Sequence, residues 1–328
     1  MKKVLVAGGA GYIGSHTCLA LKNHGYEPVV LDNLSEGHEW LVQFGPFEHG
    51  DVGDSDFVEE IISKHGIKDI LFFAAFTYVG VSVTDPEPYF ENNVSKMHNF
   101  LAVCRRTGIK NFIFSSSCAT YGNPITVPLT EDHPQNPVST YGDTKLMGEK
   151  MLKWYGQAYG MKHVSLRYFN ACGASRIGTI GESHNIETHL IPIILKTLLG
   201  QRNHVSVFGT DYDTPDGTCI RDYIHVDDLA NAHVKALEYL ENGGESTQIN
   251  LGTGTGYSVK EIINAVEQVT GHSVPVQFEE RRAGDPPVLY ANPQKSREVL
   301  GWIPTHSDLH NIIQSAWNWE LQQSQTKV

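Results

Sequence analysis

Tyr141 and Lys145 stand four residues apart in Ser139-Thr140-Tyr141-Gly142-Asp143-Thr144-Lys145, at the start of a run whose apolar positions (Leu146, Met151, Leu152, Tyr155) fit a helix. In a helix that spacing puts the phenol and the ammonium on one face. A free phenol titrates near ~10, too high for a base at neutral pH. A neighbouring ammonium, or the positive charge of an oxidised nicotinamide, favours the phenolate. So activated, Tyr141 takes a proton from a substrate hydroxyl while hydride leaves the same carbon. Tyr-x-x-x-Lys also arises by chance, as a core tyrosine beside a surface lysine, so its weight rests on what precedes it.

The elements that position such a pair begin with Val4-Leu5-Val6-Ala7, an apolar run without alternation, as expected of a parallel strand buried on both faces. It enters Gly8-Gly9-Ala10-Gly11-Tyr12-Ile13-Gly14, and a helical pattern runs over residues 15–23. Glycines at 8, 11 and 14 permit a tight turn, close approach of backbone to a pyrophosphate, and close packing of helix on strand. A second strand over 27–31 ends at Asp32, 18 residues after Gly14. An acid there hydrogen-bonds an adenosine ribose and favours NAD over its 2′-phosphorylated form. Strand, glycine turn, helix, strand and acid together predict a dinucleotide site.

A third strand over 47–52 brings Asp51 and Val52 toward the adenine end, and a fourth over 70–75 carries Ala74 and Ala75, small enough for backbone to pass close to the ligand. A helix is predicted from about 88, through Asn92, to 106. The fifth strand, 111–114, leads into Ser115-Ser116-Ser117 at its carboxyl end, where ligands collect in an open α/β sheet. The serines either terminate the strand by bonding backbone groups or, in the sharper reading, Ser117 shares the substrate hydroxyl with Tyr141, 24 residues on.

Beyond Asn170 glycine-rich loops predict the start of a smaller domain, with a strand over 205–209 and further elements at 249–254 and from Ser258. The helical pattern from Asp228 is expected to return to the first domain. The division is therefore 1–170, with a return segment near 221–240, and 171–328.

Composition bounds the rest. A chain of 328 residues with 40% hydrophobic and 19% charged residues can bury a large core. A formal net charge of −12 argues against a nucleic-acid or membrane-surface binder. Five scattered cysteines without C-x-x-C spacing read as reduced thiols of a cytoplasmic chain. The apolar run near the N-terminus is too short for a signal peptide, and no stretch reaches transmembrane length. Sixteen histidines show no H-E-x-x-H, so they read as dispersed and no metal is expected.

Gly8-x-x-Gly11-x-x-Gly14, Phe114-Ser-Ser-Ser117, Tyr141-x-x-x-Lys145 and Arg167-Tyr168-Phe169-Asn170 follow one another in the order of the extended short-chain dehydrogenase/reductase family. Over residues 2–319 the chain resembles that family, and within it the nucleotide-sugar 4-epimerases. The resemblance implies a Rossmann-type doubly wound parallel sheet, α/β, with a smaller α/β C-terminal substrate domain. It implies reversible 4-epimerisation of UDP-galactose and UDP-glucose through a 4-keto intermediate, with tightly bound NAD. Ser117, Tyr141 and Lys145 would be catalytic. NAD would be held by Gly8, Gly11, Tyr12, Ile13 and Gly14, by Asp32, Asn33, Asp51 and Val52, by Phe73, Ala74, Ala75 and Asn92, and by Ser115, Tyr141, Lys145 and Tyr168. The UDP-sugar would meet Ser117, Tyr141, His189 and Leu190, with Asn170 near the diphosphate and Phe208 against uracil. Arg221 and Arg282 would bind the diphosphate by paired guanidinium bonds, Asp285 a uridine ribose hydroxyl, and Leu289 would border the sugar. Relatives are commonly homodimers through a helix bundle, for which 92–106 and 141–157 are the candidate helices.

Three departures qualify this. Dehydratases and decarboxylases of the family carry an acid after the serine or threonine of the fifth strand, but here Cys118-Ala119-Thr120 follows, which favours epimerisation. A lysine found near the nicotinamide in some members is Thr77 here. A bulky aromatic excludes N-acetylated sugars in some epimerases; the corresponding position is Leu289, beside Tyr290, so N-acetylated UDP-sugars are candidate substrates. Two alternatives stay open: a 4-epimerase of another UDP-sugar (N-acetylated, xylose or glucuronate), and a non-catalytic nucleotide-binding regulator, which has no need of all three of Ser117, Tyr141 and Lys145.

Overall fold

The computed structural model describes residues 1–282 and 285–326; Ala283 and Gly284 of the 281–285 motif lie outside the described residues. Strand β1 (Lys2–Ala7) is fully buried from Val4 onward because it runs inside a sheet covered on both faces. It feeds α1 (Tyr12–Asn23), β2 (Tyr26–Asp32) and β3 (Phe47–His49). Helix α2 (Ser55–His65) starts at Asp54, which accepts from the Phe57 amide, and stops at left-handed Gly66. After β4 (Asp69–Phe72) a short α3 (Val79–Thr84) precedes the expected helix, which runs without a gap as α4 (Glu87–Phe90), a π turn over Glu91–Ser95, and α5 (Lys96–Thr107). β5 (Asn111–Ser117) runs through the three serines instead of ending before them. Helix α6 (Thr140–Tyr159) begins where the Ser139 hydroxyl accepts from the Gly142 amide, and β6 (Lys162–Tyr168) returns to the sheet.

The second half holds β7 (Asn170–Cys172), α7 (Leu190–Leu198), β8 (Val205–Phe208), β9 (Ile220–His225) and α8 (Val226–Glu241). Then come β10 (Thr247–Leu251), β11 (Gly256–Ser258), α9 (Val259–Thr270), β12 (Val276–Glu279), β13 (Val288–Leu289), α10 (Gln294–Leu300) and α11 (Leu309–Thr326).

Seven strands form one parallel sheet in the order β10-β6-β5-β4-β1-β2-β3. Strand order reverses between β1 and β4, which opens a crevice at their carboxyl ends. Helices α1 and α8 cover one face through Leu21, Val234 and Leu237; α2, α5 and α6 cover the other through Ile61, Phe100 and Leu152. This is the doubly wound α/β architecture. A smaller sheet sets β9 between antiparallel β11 and parallel β13, with β7 also along β9, and β8 pairs with β12. Its core is built from α7, α9 and α11.

Residues 249–254, expected in the smaller part, supply β10 of the large sheet, with Ile249 opposite Leu166 of β6. A parallel pairing between segments so far apart leaves no local trace. The third and fourth strands also end early, at His49 and Phe72. Beyond β4 the amides of Phe73 and Ala74 both donate to the Ala7 carbonyl, which closes the ladder. Asp51, Val52, Phe73, Ala74 and Ala75 therefore lie in loops at the carboxyl edge, where a ligand can reach them.

One buried ion pair fixes α6 on the sheet. Arg167 of β6 donates Nε to Glu149 Oε1 (2.8 Å) and Nη2 to Oε2 (2.6 Å), and Ser116 of β5 adds its hydroxyl to Oε1 (2.6 Å). The remaining guanidinium nitrogen reaches the Tyr121 hydroxyl, which donates to Asn250 of β10. Removing either partner strands a buried charge, at a cost of roughly 3–5 kcal/mol.

Candidate active site

The glycine turn is as tight as the spacing predicts. Gly8 has φ +81°, and a Cβ there would stand 2.6 Å from the Ala74 amide nitrogen. A Cβ on Gly14 would lie 2.2 Å from the Gly8 carbonyl oxygen, so α1 sits directly on the turn. Helix α1 has no side-chain cap and no acid in its first turn, which leaves its amino end open to an anion. The Tyr12 side chain is not available to a ligand in the cleft: it is buried and its hydroxyl donates to the Gly173 carbonyl (2.6 Å). Ile13 packs into the core under α1 and α8. Both residues can meet a pyrophosphate only through their amides.

Asp32 receives the amides of Ala10 (3.0 Å) and Leu34 (2.8 Å). Burial raises its carboxyl pKa against the opposing pull of those amides. Leu34 takes a left-handed backbone (φ 60°), an uncommon conformation for such a residue, to deliver its amide. Asp51 lies further out, held by Lys96 (2.7 Å), by Asn33 (2.8 Å) and by the Gly53 amide; burial would raise its pKa, but these partners outweigh it and hold it below the usual range. Gly8, Gly11, Asp32, Val52, Ala74 and Asn92 line one cleft. An open helix amino end, glycines that a Cβ would displace, and a carboxylate at the end of β2 fit NAD, and the charge of Asp32 opposes a 2′-phosphate there.

At the carboxyl end of β5, Ser117 lies near Tyr141 of the first turn of α6, where its hydroxyl draws the phenol pKa down. The Ser117 Oγ also accepts the Ala119 amide (3.1 Å). Lys145, one turn on, donates to the Ser115 carbonyl (2.7 Å), and its Nζ lies 5.8 Å from the centre of the Tyr141 ring. Burial pushes the Tyr141 phenol up to about 12, with the Ser117 hydroxyl only partly offsetting it. Burial also pulls the Lys145 ammonium down to about 7. Desolvation thus holds the phenol of the protein alone above the range of a useful base. Ser115 and Tyr168 are bonded to each other through their hydroxyls.

Positioning residues that the pattern did not single out complete this corner. Asn93, in the π turn, bonds both the amide and the carbonyl of Phe76 and reaches Thr144 Oγ1 of α6 (3.1 Å); the neighbouring Asn92 donates to it. Ser82 of α3 accepts the Tyr141 amide (3.1 Å). Paired asparagines inside a helical pattern were the available signal, since their side chains compete with helical backbone bonds.

On the substrate side, Arg221, Asp285, Leu289 and Asn170 gather around β9. Arg221 pairs with Asp285 (3.4 Å), and Leu289 of β13 stands opposite Arg221 in the ladder. Arg282 lies over the Phe208 ring, 3.9 Å from its centre. Leu289 packs with Cys118, the neighbour of Ser117, against Tyr121, Leu129, Phe169 and Ala291, which joins this group to the end of β5. Asn170 donates to the Asp222 carbonyl of β9 (2.9 Å). His189 and Leu190 stand at the start of α7, where Glu182 and Glu187 flank His189; no hydrogen bond or ion pair among the described residues links His189 to the Arg221 group. A larger depression of about 440 Å³ between residues 123–127 and 285–288 shares only Asp285 with the site.

Residues 4–252 match the NAD dependent epimerase/dehydratase family. The UDP-glucose 4-epimerase of Rhizobium leguminosarum bv. trifolii is 52% identical over 322 residues, 98% of each chain. The crystal structure of UDP-glucose 4-epimerase from Brucella ovis in complex with NAD superposes with a TM-score of 0.95 at 51% identity, over 97% of this chain and 98% of that one. That of UDP-glucose 4-epimerase from Bifidobacterium longum in complex with NAD+ and UDP gives 0.93 at 36% identity, over 98% and 99%.

The depressed Lys145 pKa has a measurable consequence. In the cofactor-free protein the unfolded chain binds the Lys145 proton between about pH 7 and 10.5 while the folded chain does not. Stability must therefore rise with pH across that window, by up to ~1.4 kcal/mol per unit from this group. Urea unfolding of wild type and Lys145→Met at several pH values reads the difference; a difference that does not change with pH contradicts the burial argument.

Proposed function

The chain belongs to the NAD dependent epimerase/dehydratase family, and from that premise we propose that it interconverts UDP-galactose and UDP-glucose by reversible 4-epimerisation, with NAD as its resident cofactor. The observation that supports this most is the Ser117–Tyr141 pair beside Lys145 at the carboxyl end of β5. The sheet brings that pair to the same edge as the glycine turn.

When bound, NAD supplies an acceptor and donor of hydride for the sugar C4. The open end of α1 and the glycine turn would hold the pyrophosphate, Asp32 the adenosine ribose, and Lys145 the nicotinamide ribose. Ser117 orients the 4-hydroxyl of the sugar. Tyr141 would accept that proton as the C4–H bond breaks, and would return it to the 4-oxygen once the 4-keto sugar has turned and hydride has been given back to the opposite face of C4. Because burial keeps the phenol protonated in the protein alone, the base acts only in the complete complex, where positive charge has been brought to it. Arg221 and Arg282 grip the diphosphate after exchanging Asp285 and the Phe208 face for phosphate and uracil, while Asp285 turns to the uridine ribose. Asn170 lies beside the diphosphate. Gripping the nucleotide and leaving the sugar loose lets either face of C4 be presented.

The division that fits this chemistry assigns residues 1–170, with the return near 221–240, to NAD and 171–328 to the UDP-sugar; β10 extends the return to Leu251. No helix of the described residues is long and apolar enough to cross a membrane. A cytoplasmic homodimer accompanies the proposal, formed by the outward faces of α5 and α6, where Met147 and Trp154 lie exposed.

Purified protein given UDP-galactose and no added NAD should form UDP-glucose, read by a coupled dehydrogenase. Tyr141→Phe should lower turnover by roughly 10²–10⁴-fold. Near-normal turnover of that variant would sink the assignment, and no turnover of any UDP-sugar by wild type, even with NAD added, would favour a binding regulator. Leu289, packed beside Cys118 and smaller than tyrosine, supports a second substrate class. Wild type should also epimerise UDP-N-acetylgalactosamine, and Leu289→Tyr should suppress that activity while sparing UDP-galactose; an inert N-acetylated substrate with wild type refutes it. Sedimentation velocity of protein from the soluble fraction should give twice the chain mass, with Trp154→Asp shifting it to monomer. A monomeric wild type contradicts the dimer.

A further inference from the structure

Glu182, His184, Glu187 and His189 occupy a single loop just before α7, in the spacing E-x-H-x-x-E-x-H. One ligand-type atom from each lies within 4.8 Å of all the others. His184 Nδ1 stands 3.3 Å from Glu182 and 3.5 Å from Glu187; His189 Nδ1 stands 2.8 and 3.3 Å from the same two carboxylates. Despite these short approaches, Glu182 Oε1 and His184 Nδ1 are both buried with no hydrogen-bond partner. Glu182 itself is only 6% exposed.

A tetrahedral Zn²⁺ with ligand bonds of about 2.0–2.2 Å sets its ligand atoms roughly 3.3–3.5 Å apart. Three of the four observed separations match that edge length, the fourth, His189 to Glu182 at 2.8 Å, is shorter, and Glu187 meets the two histidines with different oxygens. We propose that this loop is a Zn²⁺ site, with Nδ1 of His184 and His189 and one carboxylate oxygen each of Glu182 and Glu187 as ligands. Imidazole and carboxylate together suit a borderline divalent cation.

The surroundings are arranged to hold the ligands. The His189 amide (2.8 Å) and Lys196 (3.5 Å) donate to Glu187, and the Trp319 indole of α11 donates to the Glu182 carbonyl (2.9 Å). The His184 ring stands edge-on to Tyr12 at the amino end of α1. Ser183 contacts His38 beyond β2. A cation here ties α7 and α11 to the pyrophosphate end of the dinucleotide cleft, so its role is structural and independent of the reaction.

The test uses the full chain without a histidine tag, stripped with EDTA. Titration calorimetry with ZnCl2 should give one equivalent per chain at submicromolar affinity, with a raised unfolding temperature, and Co²⁺ should give the visible bands of a tetrahedral site. His184→Ala and Glu187→Gln should each weaken binding by about tenfold or more, while His272→Ala should not. Glu187→Gln preserves shape and decides the matter if His184→Ala does not fold. No binding at micromolar Zn²⁺, or binding that survives Glu187→Gln unchanged, overturns the site.

Discussion

The Arg167–Glu149 pair is the contact on which the placement of the chemistry depends. It joins the sixth strand to α6 in a forked, doubly hydrogen-bonded geometry inside the protein, and Ser116 locks it to the fifth strand. A single charge left there would be costly, so the helix cannot slide or rotate without breaking every bond together. Tyr141 and Lys145 are carried on the amino-terminal turns of that same helix, eight and four residues before Glu149. Their distance from Ser115 and Ser117 is thus set by a pair that touches no reacting atom. Tyr121 and Asn250 extend the network to the sheet edge, which makes the last-added strand part of the same rigid unit.

Rigidity is matched by electrostatic restraint. Burial alone would keep the phenol protonated and the lysine close to neutral, and the protein offers the phenol one hydroxyl against that tendency. A base that forms only when the site is filled is protected from idle proton exchange with water. The same logic holds across the cleft, where Arg221 has Asp285 and Arg282 has the Phe208 face.

The small part of the chain does not stand alone. β9 lies between β11 and β13 in the smaller sheet and leads directly into α8, which packs on α1, and β10 then closes the large sheet. Repeated crossing couples the two cores, so the residues around Arg221 inherit their position from elements of both. The loop before α7 makes a further connection, between α11 and the start of α1.

The sequence by itself determined the parallel sheet, because unalternating apolar runs separated by helical patterns have few other solutions. It also determined the dinucleotide turn, since glycines at 8 and 14 answer steric demands that a Cβ would violate. The helical spacing of Tyr141 and Lys145 was legible because it is local. Tertiary structure alone decided that residues 247–251 join the large sheet, that Asn93 and Ser82 brace the tyrosine, and that Glu149 meets Arg167. These are contacts between segments distant in the chain, with no periodicity to announce them. Tertiary structure also decided the titration of Tyr141 and Lys145, because desolvation depends on everything packed around them, and it gathered two of sixteen histidines beside two glutamates that the sequence left as scattered residues.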